Sequence, residues 1–456
     1  MLDLQKIRDH VEGNREKYIE SLKEACRIPS VSTEGASFGA MADWVQARLE
    51  ALGASVARLK VGESPEALLG VIPGGGEGTL MIYDHYDVQP VDPIELWDSD
   101  PFEPVERDGR IYARGAADNK GDLVARLCAL EAYRELGDEL PYTIKFFIEG
   151  EEENGSTHFE KICNEYAAEL ASDNCVWEGG WFDFDDRPHM YYGCKGLLYV
   201  ELSVQRLSGD QHSSIAVYAP SAAWDLLRAI ACLKDPDGNI VIDGFHDDIV
   251  PAGPRERAML ESLPFNEDAI KANLKIDAFN AGLTGEELKH DLLFKPTANI
   301  AGLISGYTVP GASKTVLPAE AMAKIDFRLV PDQDPEDLAT KLRAHLDKNG
   351  FEHVDVRVLN GENPSRSTFD TALARAVEGT AARWFSQPTA VMPFMWATGP
   401  MHPLAQGLGI PICSPPGVGR PDSNLHAPNE NARIADYLDI VGFTVAYLDA
   451  YGQTVD

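Results

Sequence analysis

Residues 85–121, HYDVQPVDPIELWDSDPFEPVERDGRIYARGAADNKG, join a predicted strand to a predicted helix. The apolar run at 79–83 predicts a strand that leads into His85 and Asp87. Residues two apart on a strand share a face, so these two side chains point the same way. A metal-binding imidazole usually donates its second N–H to a carboxylate, and this pair supplies both groups. Polar residues also collect at strand ends without such a role, so the pair alone identifies no site.

Other polar residues follow predicted strands or turns. Asp118 lies in a glycine-rich turn before a helix predicted at 121–136, where an Asp-initiated turn is the simpler explanation. The strand predicted at 142–148 runs into a cluster of carboxylates, Glu149, Glu151, Glu152 and Glu153. Crowded carboxylates repel one another, and open α/β sheets place their ligands at this end of their strands. Bound cations would offset the repulsion.

Two further polar residues complete a candidate ligand set. Glu178 follows a strand end in DNCVWEGG, and His426 lies in the late loop RPDSNLHAPNEN. Each has an ordinary explanation when it is taken singly. Together the candidates supply two imidazoles and three carboxylates, from His85, Asp118, Glu153, Glu178 and His426. Mixed nitrogen and oxygen ligands suit Zn²⁺, Mn²⁺ or Co²⁺, and one tetrahedral ion uses fewer than five, so the set predicts two divalent ions that share one carboxylate.

The hydrophobic periodicity changes near Gly196. Before it, predicted helices alternate with apolar runs, which indicates an α/β sheet covered by helices. The helices are predicted at 4–27, 40–52 and 121–136, and the strands at 67–72, 79–83 and 142–148. After it, the order strand, helix, strand, strand, helix, strand is that of a ferredoxin-like α+β unit. These elements are predicted at 197–205, 221–234, 297–304, 320–330, 335–348 and 353–359.

The α/β rhythm returns late in the chain. Helices are predicted at 371–385 and 432–451, with short strands near 389–394 and 410–414. We therefore predict one domain made of 1–196 and 379–456, with a second domain, 197–378, inserted into it. The acidic segment at 235–296 lies inside the second domain, and the sequence pattern assigns no function to it.

Composition excludes several classes of partner and location. The chain has 456 residues and a net charge of −33, which repels nucleic acid and anionic lipid surfaces. No run approaches the ~18 consecutive apolar residues of a membrane span. The first twenty residues are too charged for a signal sequence, and the odd number of cysteines, seven, indicates buried thiols in a reducing compartment. We expect a cytoplasmic protein.

The sequence resembles the co-catalytic metallo-exopeptidases, which include carnosinase-type dipeptidases, acetylornithine deacetylase, succinyl-diaminopimelate desuccinylase and aminoacylase, and it is most similar to the dipeptidases. The matching stretches are residues 85–121, EGEEENGS, GDQHSS, KTVLPAEAMAKIDFRLVP and SNLHAPNE. The resemblance implies a mixed-sheet α/β metallopeptidase domain with an inserted ferredoxin-like lid and dimerisation domain. It implies two divalent ions, Zn²⁺ or Mn²⁺ with Co²⁺ as a further option.

The resemblance also implies roles for the residues at those ions. Asp118 would bridge them, His85 and Glu178 would hold one, and Glu153 and His426 the other. Asp87 would orient His85. Glu152 would be the general base that takes a proton from the bridging water, because neighbouring residues point in different directions and one carboxylate can stay free.

Three residues of the inserted domain match substrate-contacting positions of the family. His212 would reach the partner subunit's site and hold the oxyanion, which implies a homodimer formed through the lid. Arg328 would bind a substrate carboxylate, and Thr315 would also contact substrate. Two departures concern the substrate branch: Glu178 stands where many dipeptidases have Asp and the deacylases have Glu, and GDQHSS lacks the usual glycine after His-Ser.

The implied activity is hydrolysis of an amide bond next to a free carboxylate, in a dipeptide or short peptide. An N-acyl amino acid presents the same groups, so a deacylase is the alternative. A non-catalytic scaffold would be expected to have lost a ligand or the base, and none is lost. A serine hydrolase is suggested only by the G-x-S-x-G match at 35–39, which has no apolar strand before it. The run PGGGEG at 73–78 lacks the spacing of a phosphate loop and indicates a turn.

Overall fold

The computed structural model describes residues 2–34, 38–137 and 139–454. The helices are α1 Leu4–Gly13, α2 Arg15–Cys26, α3 Phe38–Ala51, α4 Lys120–Glu135, α5 Phe159–Glu165, α6 Ala167–Leu170, α7 Ala222–Ala231, α8 Pro254–Ser262, α9 Glu267–Leu274, α10 Gly285–Phe294, α11 Pro335–Lys348, α12 Ala372–Trp384 and α13 Ile434–Gly452. The strands are β1 Ser55–Leu59, β2 Ala67–Ile72, β3 Thr79–His85, β4 Val105–Arg107, β5 Arg110–Tyr112, β6 Thr143–Glu149, β7 Asn174–Val176, β8 His189–Tyr191, β9 Gly193–Cys194, β10 Gly196–Gln205, β11 Gln211–His212, β12 Thr297–Ser305, β13 Val316–Leu317, β14 Glu320–Leu329, β15 Asp355–Glu362, β16 Ser365–Arg366, β17 Ala390–Met392, β18 Ile412–Cys413 and β19 Asn431–Arg433.

The chain divides into two compact units. The first takes in the chain up to Gly193, the segment Arg366–Pro393 and the chain from Pro400 onward, and the second takes in Cys194–Ser365 and Phe394–Gly399. Sequence periodicity put the boundaries after 196 and 378. The second boundary differs because α12 packs against α13, so the segment that contains α12 groups with the first unit.

The first unit is built on a six-stranded mixed sheet with the order β1-β2-β6-β3-β7-β18. The strands β6, β3, β7 and β18 run parallel, and β1 and β2 are antiparallel additions at one side. Strands β2 and β3 are buried along almost their whole length, as expected of apolar runs in the middle of a covered sheet. The predicted mixed α/β class is confirmed. Parallel pairing brings the carboxyl ends of β3, β6 and β7 to one edge of the sheet.

A buried arginine on α4 ties two of these strand ends together. The guanidinium of Arg126 donates to the carbonyl oxygen of Tyr83 (3.0 Å) and to that of Trp177 (2.7 Å), and it also pairs with the carboxylate of Asp84. Tyr83 and Trp177 stack with ring centroids 3.7 Å apart. Helix α4 therefore fixes β3 and the residues after β7 at a set spacing.

The second unit is an antiparallel sheet of order β12-β14-β10-β15, with α7 and α11 packed on it. Alternate residues of β10 and β14 are buried, and they form a core with apolar side chains of both helices. The order and the antiparallel pairing are those of the ferredoxin-like unit that the sequence predicted.

Several details differ from the sequence expectations. The helix predicted at 4–27 is two helices that meet at Asn14. The segment at 235–296 contains α8, α9 and α10, and Phe294 of α10 packs on Phe394 within the second unit. Six of the seven cysteines are buried, and Cys232 is partly exposed. Among the residues that the structure describes, none of the helices has both the length and the apolar character of a membrane span.

A further strand pair lies inside the stretch 85–121. Strands β4 and β5 form a hairpin, and β19 pairs with the other side of β5. Asp108 and Gly109 at the turn both have positive φ, at 50° and 74°. Asp-Gly is a strong sequence signal for such a turn, so this hairpin was predictable.

Candidate metal centre

Side chains from strand ends and loops of the first unit meet at the carboxyl edge of its parallel strands. His85 is the last residue of β3 and pairs with Glu149, the last residue of β6. Glu178 follows β7 after one residue, and Asp118 lies shortly before α4. His426 comes from the loop between β18 and β19. Glu153 lies in the turn after β6, so all five predicted ligands belong to one unit and one edge.

The five side chains form two groups that share Asp118. In the first group, Nε2 of His85 lies 3.3 Å from Oδ1 of Asp118 and 3.4 Å from Oε2 of Glu178. In the second, Nε2 of His426 lies 3.0 Å from Oδ2 of Asp118 and 3.3 Å from Oε2 of Glu153. The ligand atoms within each group lie within 4.8 Å of one another. Asp118 thus offers one oxygen to each imidazole, which is the arrangement of a carboxylate shared by two ions.

Asp87 supports both the imidazole beside it and the turn that carries Glu152 and Glu153. Nδ1 of His85 lies 3.1 Å from the carbonyl oxygen of Asp87 and 3.3 Å from its carboxylate. The two carboxylate oxygens also accept the main-chain N–H groups of Glu152 (3.2 Å) and Glu153 (3.0 Å). An acceptor at Nδ1 leaves Nε2 as the nitrogen available to a metal ion.

Three further side chains, which the sequence analysis did not identify, donate hydrogen bonds to two of the candidate ligand carboxylates. The indole N–H of Trp177 donates to Oε1 of Glu178 (2.9 Å), and the amide of Asn119 donates to Oε2 of the same residue (3.2 Å). The amide of Gln89 donates to Oε2 of Glu153 (2.8 Å). Trp177 and Asn119 adjoin candidate ligands in sequence, and that adjacency was the one signal available.

The electrostatics of the centre favour a bound cation. Burial and the nearby Asp118 carboxylate raise the pKa of Glu153 to about 8. Burial, together with Glu178, Glu153 and Asp118, holds the pKa of Glu152 well above its ordinary value. Burial alone would lower the pKa of His85, but the carboxylates of Asp118, Asp87 and Glu178 around its ring raise that pKa far above the ordinary value. Without cations these carboxylates repel one another and favour proton uptake.

The residues present fit a pair of divalent ions. Nε2 of His85 and Oε1 of Glu153 are buried and make no hydrogen bond within the described part of the chain. Buried polar atoms are usually paired, and these two atoms belong to side chains of the two groups, where a metal ion would supply the missing partner. The donor set is nitrogen and oxygen only, as Zn²⁺, Mn²⁺ and Co²⁺ accept. The side chain of His426 is 56% exposed, which leaves the second group accessible from solvent.

The remaining predicted site residues lie in the second unit. His212 is an exposed residue of β11 and pairs with Val316, the first residue of β13. Thr315 directly precedes that strand. Arg328 of β14 is half-buried, and its guanidinium donates to the hydroxyl of Thr398 (2.6 Å). Of the G-x-S-x-G match, residues 35–37 lie outside the described residues, and the chain just before it, 27–34, forms turns and a single bridge rather than a strand.

Comparison with known proteins places these features in a family. The model of peptidase family M20/M25/M40 matches residues 81–450. The mouse Beta-Ala-His dipeptidase is 28% identical, with 95% of this chain and 93% of that protein covered. The Cys-Gly metallodipeptidase of Schizosaccharomyces pombe is 29% identical, with 76% of each chain covered.

Solved structures give the same answer. An M20 family metallo-carboxypeptidase from Sulfolobus solfataricus is 35% identical and superposes with a TM-score of 0.90, covering 96% of this chain and 99% of that one. Human carnosine dipeptidase 1 is 26% identical, with a TM-score of 0.81 over 99% of this chain and 100% of that one. The family resemblance drawn from the sequence motifs is confirmed.

If Asp118 is shared by two ions, its removal should lower the metal content more than removal of a ligand of one ion. Asp118→Ala removes an oxygen from both groups, whereas His85→Ala removes a ligand from one, so Asp118→Ala should retain less metal. Elemental analysis after dialysis against limiting Mn²⁺ measures this, with the exposed Asp9→Ala as a control that keeps wild-type content. Equal losses in Asp118→Ala and His85→Ala would contradict a shared carboxylate.

Proposed function

The chain belongs to peptidase family M20/M25/M40 and is a metal-dependent peptidase of its dipeptidase branch, and we propose that it cleaves the amide bond of dipeptides or short peptides at two divalent ions, Zn²⁺ or Mn²⁺ with Co²⁺ as a further option. The single observation that carries this proposal is Asp118, whose two oxygens face two different imidazoles. In this proposal His85 and Glu178 hold one ion, and Glu153 and His426 hold the other. Bound ions supply Lewis acidity that polarises a carbonyl and makes a water acidic.

Glu152 is the general base in this proposal. The carboxylate of its neighbour Glu153 accepts a hydrogen bond from Gln89 and faces His426. The carboxylate of Asp87 accepts the main-chain N–H groups of both Glu152 and Glu153. Glu152 is therefore held at the centre by its backbone and keeps its carboxylate for proton transfer. It takes a proton from the attacking water and returns it to the leaving amine, and a base is most effective when its pKa lies near the working pH.

Arg328, Thr315 and His212 bind substrate in this proposal. A guanidinium fork suits the free carboxylate of a peptide, and the bond to Thr398 fixes the orientation of Arg328. The main-chain N–H of Ser214 donates to Nδ1 of His212 (3.2 Å), so Nε2 of the neutral ring carries the proton and is a donor for an oxyanion. We propose that this donor acts in the partner subunit of a homodimer formed through the second unit. The buried cysteines support cytoplasmic residence.

The same site suits two other classes of substrate. The 35% identity to a metallo-carboxypeptidase favours removal of a C-terminal residue from longer peptides as a second candidate. The deacylases also have Glu at the position of Glu178, so N-acyl amino acids are the alternative substrates.

A substrate panel tests the proposed reaction. Dipeptides, longer peptides, N-acetyl amino acids and N-succinyl amino acids are each incubated with enzyme and added Mn²⁺ or Zn²⁺, and the released amino acids are quantified. We expect the dipeptides to give two amino acids and the highest kcat/KM. Faster release from longer peptides would select the carboxypeptidase, faster release from acylated substrates the deacylase, and no turnover at all would contradict the proposal.

Glu152→Gln tests the base. The substitution keeps the shape and removes the proton acceptor, so kcat should fall by ~10²–10⁴-fold while metal content stays at the wild-type level. Glu151→Gln is the matched control, because that neighbouring carboxylate is 3.0 Å from Nδ1 of His158 instead. Loss of metal in Glu152→Gln without loss in Glu153→Gln would mean that the two roles are exchanged.

Mixing two inactive variants tests the role of His212. His212→Ala and Glu152→Gln dimers are allowed to exchange subunits, and exchange is verified by native mass spectrometry. If His212 acts in the partner's site, a heterodimer has one site with both lesions and one intact site, so activity should recover toward half of wild type. A mixture that stays inactive after verified exchange would show that His212 does not work across the interface.

A further inference from the structure

Glu430 is a fully buried carboxylate in the first unit that belongs to neither ligand group. It lies four residues after His426, in the same late loop. Its side chain accepts hydrogen bonds from residues 114–118, which precede Glu430 by more than 300 residues in the sequence. The carboxylate therefore joins the two chain segments that carry the facing side chains Asp118 and His426.

The hydrogen bonds of Glu430 are all directed at that segment. Oε2 accepts from the guanidinium of Arg114 (2.8 Å) and from the main-chain N–H of Gly115 (2.9 Å). Oε1 accepts from the main-chain N–H groups of Ala117 (2.9 Å) and Asp118 (3.0 Å). A carboxylate has about four lone-pair sites, so the four donors use its capacity and leave none for a metal ion.

The segment that Glu430 holds has a demanding shape. Gly115 has a φ of +86°, and a Cβ there would lie 2.8 Å from a side-chain carbon of Val88. Three N–H groups converge on one point only when the main chain is curled in this way, and the convergence makes a concave site for an anion. The carbonyl oxygen of Glu430 also accepts the N–H of Ala113 (3.1 Å), so the two segments are connected at main-chain level as well.

We propose that Glu430 is a positioning residue of the metal centre: it sets the main chain of Asp118 against the loop of His426, so that the shared carboxylate and the second imidazole are in place before an ion arrives. This inference rests on the proposed two-metal function. A purely structural role would stabilise the unit without any particular effect on the ions. Partners of metal ligands of this kind typically change metal affinity by about 10–100-fold when they are removed.

Glu430→Gln is the test, because an amide keeps the size but turns its NH₂ group toward donors. Metal binding is measured by calorimetric titration of chelator-treated protein with Mn²⁺, which does not depend on activity. We expect at least one ion to bind about 10–100-fold more weakly, and excess Mn²⁺ to restore kcat to within a few-fold of wild type at an unchanged KM. The matched control is Asp449→Asn, another buried acid of this unit that accepts a main-chain N–H, from Leu2 (2.7 Å), and it should bind Mn²⁺ as wild type does.

The outcomes separate this inference from the proposed function. If wild type binds fewer than two ions, the proposed function fails at that point. If wild type binds two ions and a folded Glu430→Gln binds them with the same affinity, or if Asp449→Asn weakens them equally, the positioning role is overturned.

A second measurement on wild type covers the case in which Glu430→Gln does not fold. Amide hydrogen exchange of chelator-treated wild type should show protected N–H groups at Ala117 and Asp118, because Glu430 accepts both without any ion. Exchange at the rate of unprotected amides would mean that the ions, and not Glu430, order this segment, and would overturn the proposal.

Discussion

The buried guanidinium of Arg126 holds two parallel strand ends at one spacing, and the metal centre is built on that spacing. It bonds the carbonyl oxygens of Tyr83 and Trp177, which precede His85 and Glu178 by two residues and one. A buried arginine is tolerated because Asp84 balances its charge. Burial raises the pKa of Asp84 and the cation of Arg126 lowers it, and the resulting pKa is about 6. One helix residue thus sets where the first imidazole and the first carboxylate meet.

Around that frame, residues that are not candidate ligands hold several of the candidate ligands in place. Trp177 donates to Glu178 and Gln89 donates to Glu153, while the carboxylate of Asp87 accepts the main-chain N–H groups of Glu152 and Glu153 in the turn after β6. A constellation supported in this way has its geometry before the metal is bound, so little ordering entropy is lost on binding. The cost is electrostatic, since carboxylates are gathered in a buried place where only cations or protons relieve their repulsion.

The sequence predicted the parts of this molecule that depend on local pattern. Apolar runs located β2, β3 and β6, and the polar residues at strand ends and in two loops supplied the candidate ligands, whose roles are those that the family resemblance implies. It gave Asp87 as a partner of His85 but not Gln89 or Glu430, because these two side chains bond residues far away in the chain and no local pattern marks them. The boundary predicted after 378 differs from the start of the first unit's segment at Arg366 for a similar reason: α12 has an amphipathic pattern that fits either domain, and its packing on α13 groups it with the first unit. The helices at 235–296 were missed because frequent Pro and Gly resemble loop composition.

The sharing of Asp118 between an early and a late segment has a consequence for biosynthesis. All residues of the first group lie between positions 85 and 178, whereas His426 follows Asp118 by 308 residues. A growing chain folds from its amino terminus as it leaves the ribosome, and contacts of long sequence separation form last. The first group can therefore assemble while most of the inserted unit is still unsynthesised, and the second cannot exist until the final helix is being made. In the proposed two-ion mechanism, a nascent chain therefore hydrolyses no peptide before His426 has been made, when its own translation is almost complete.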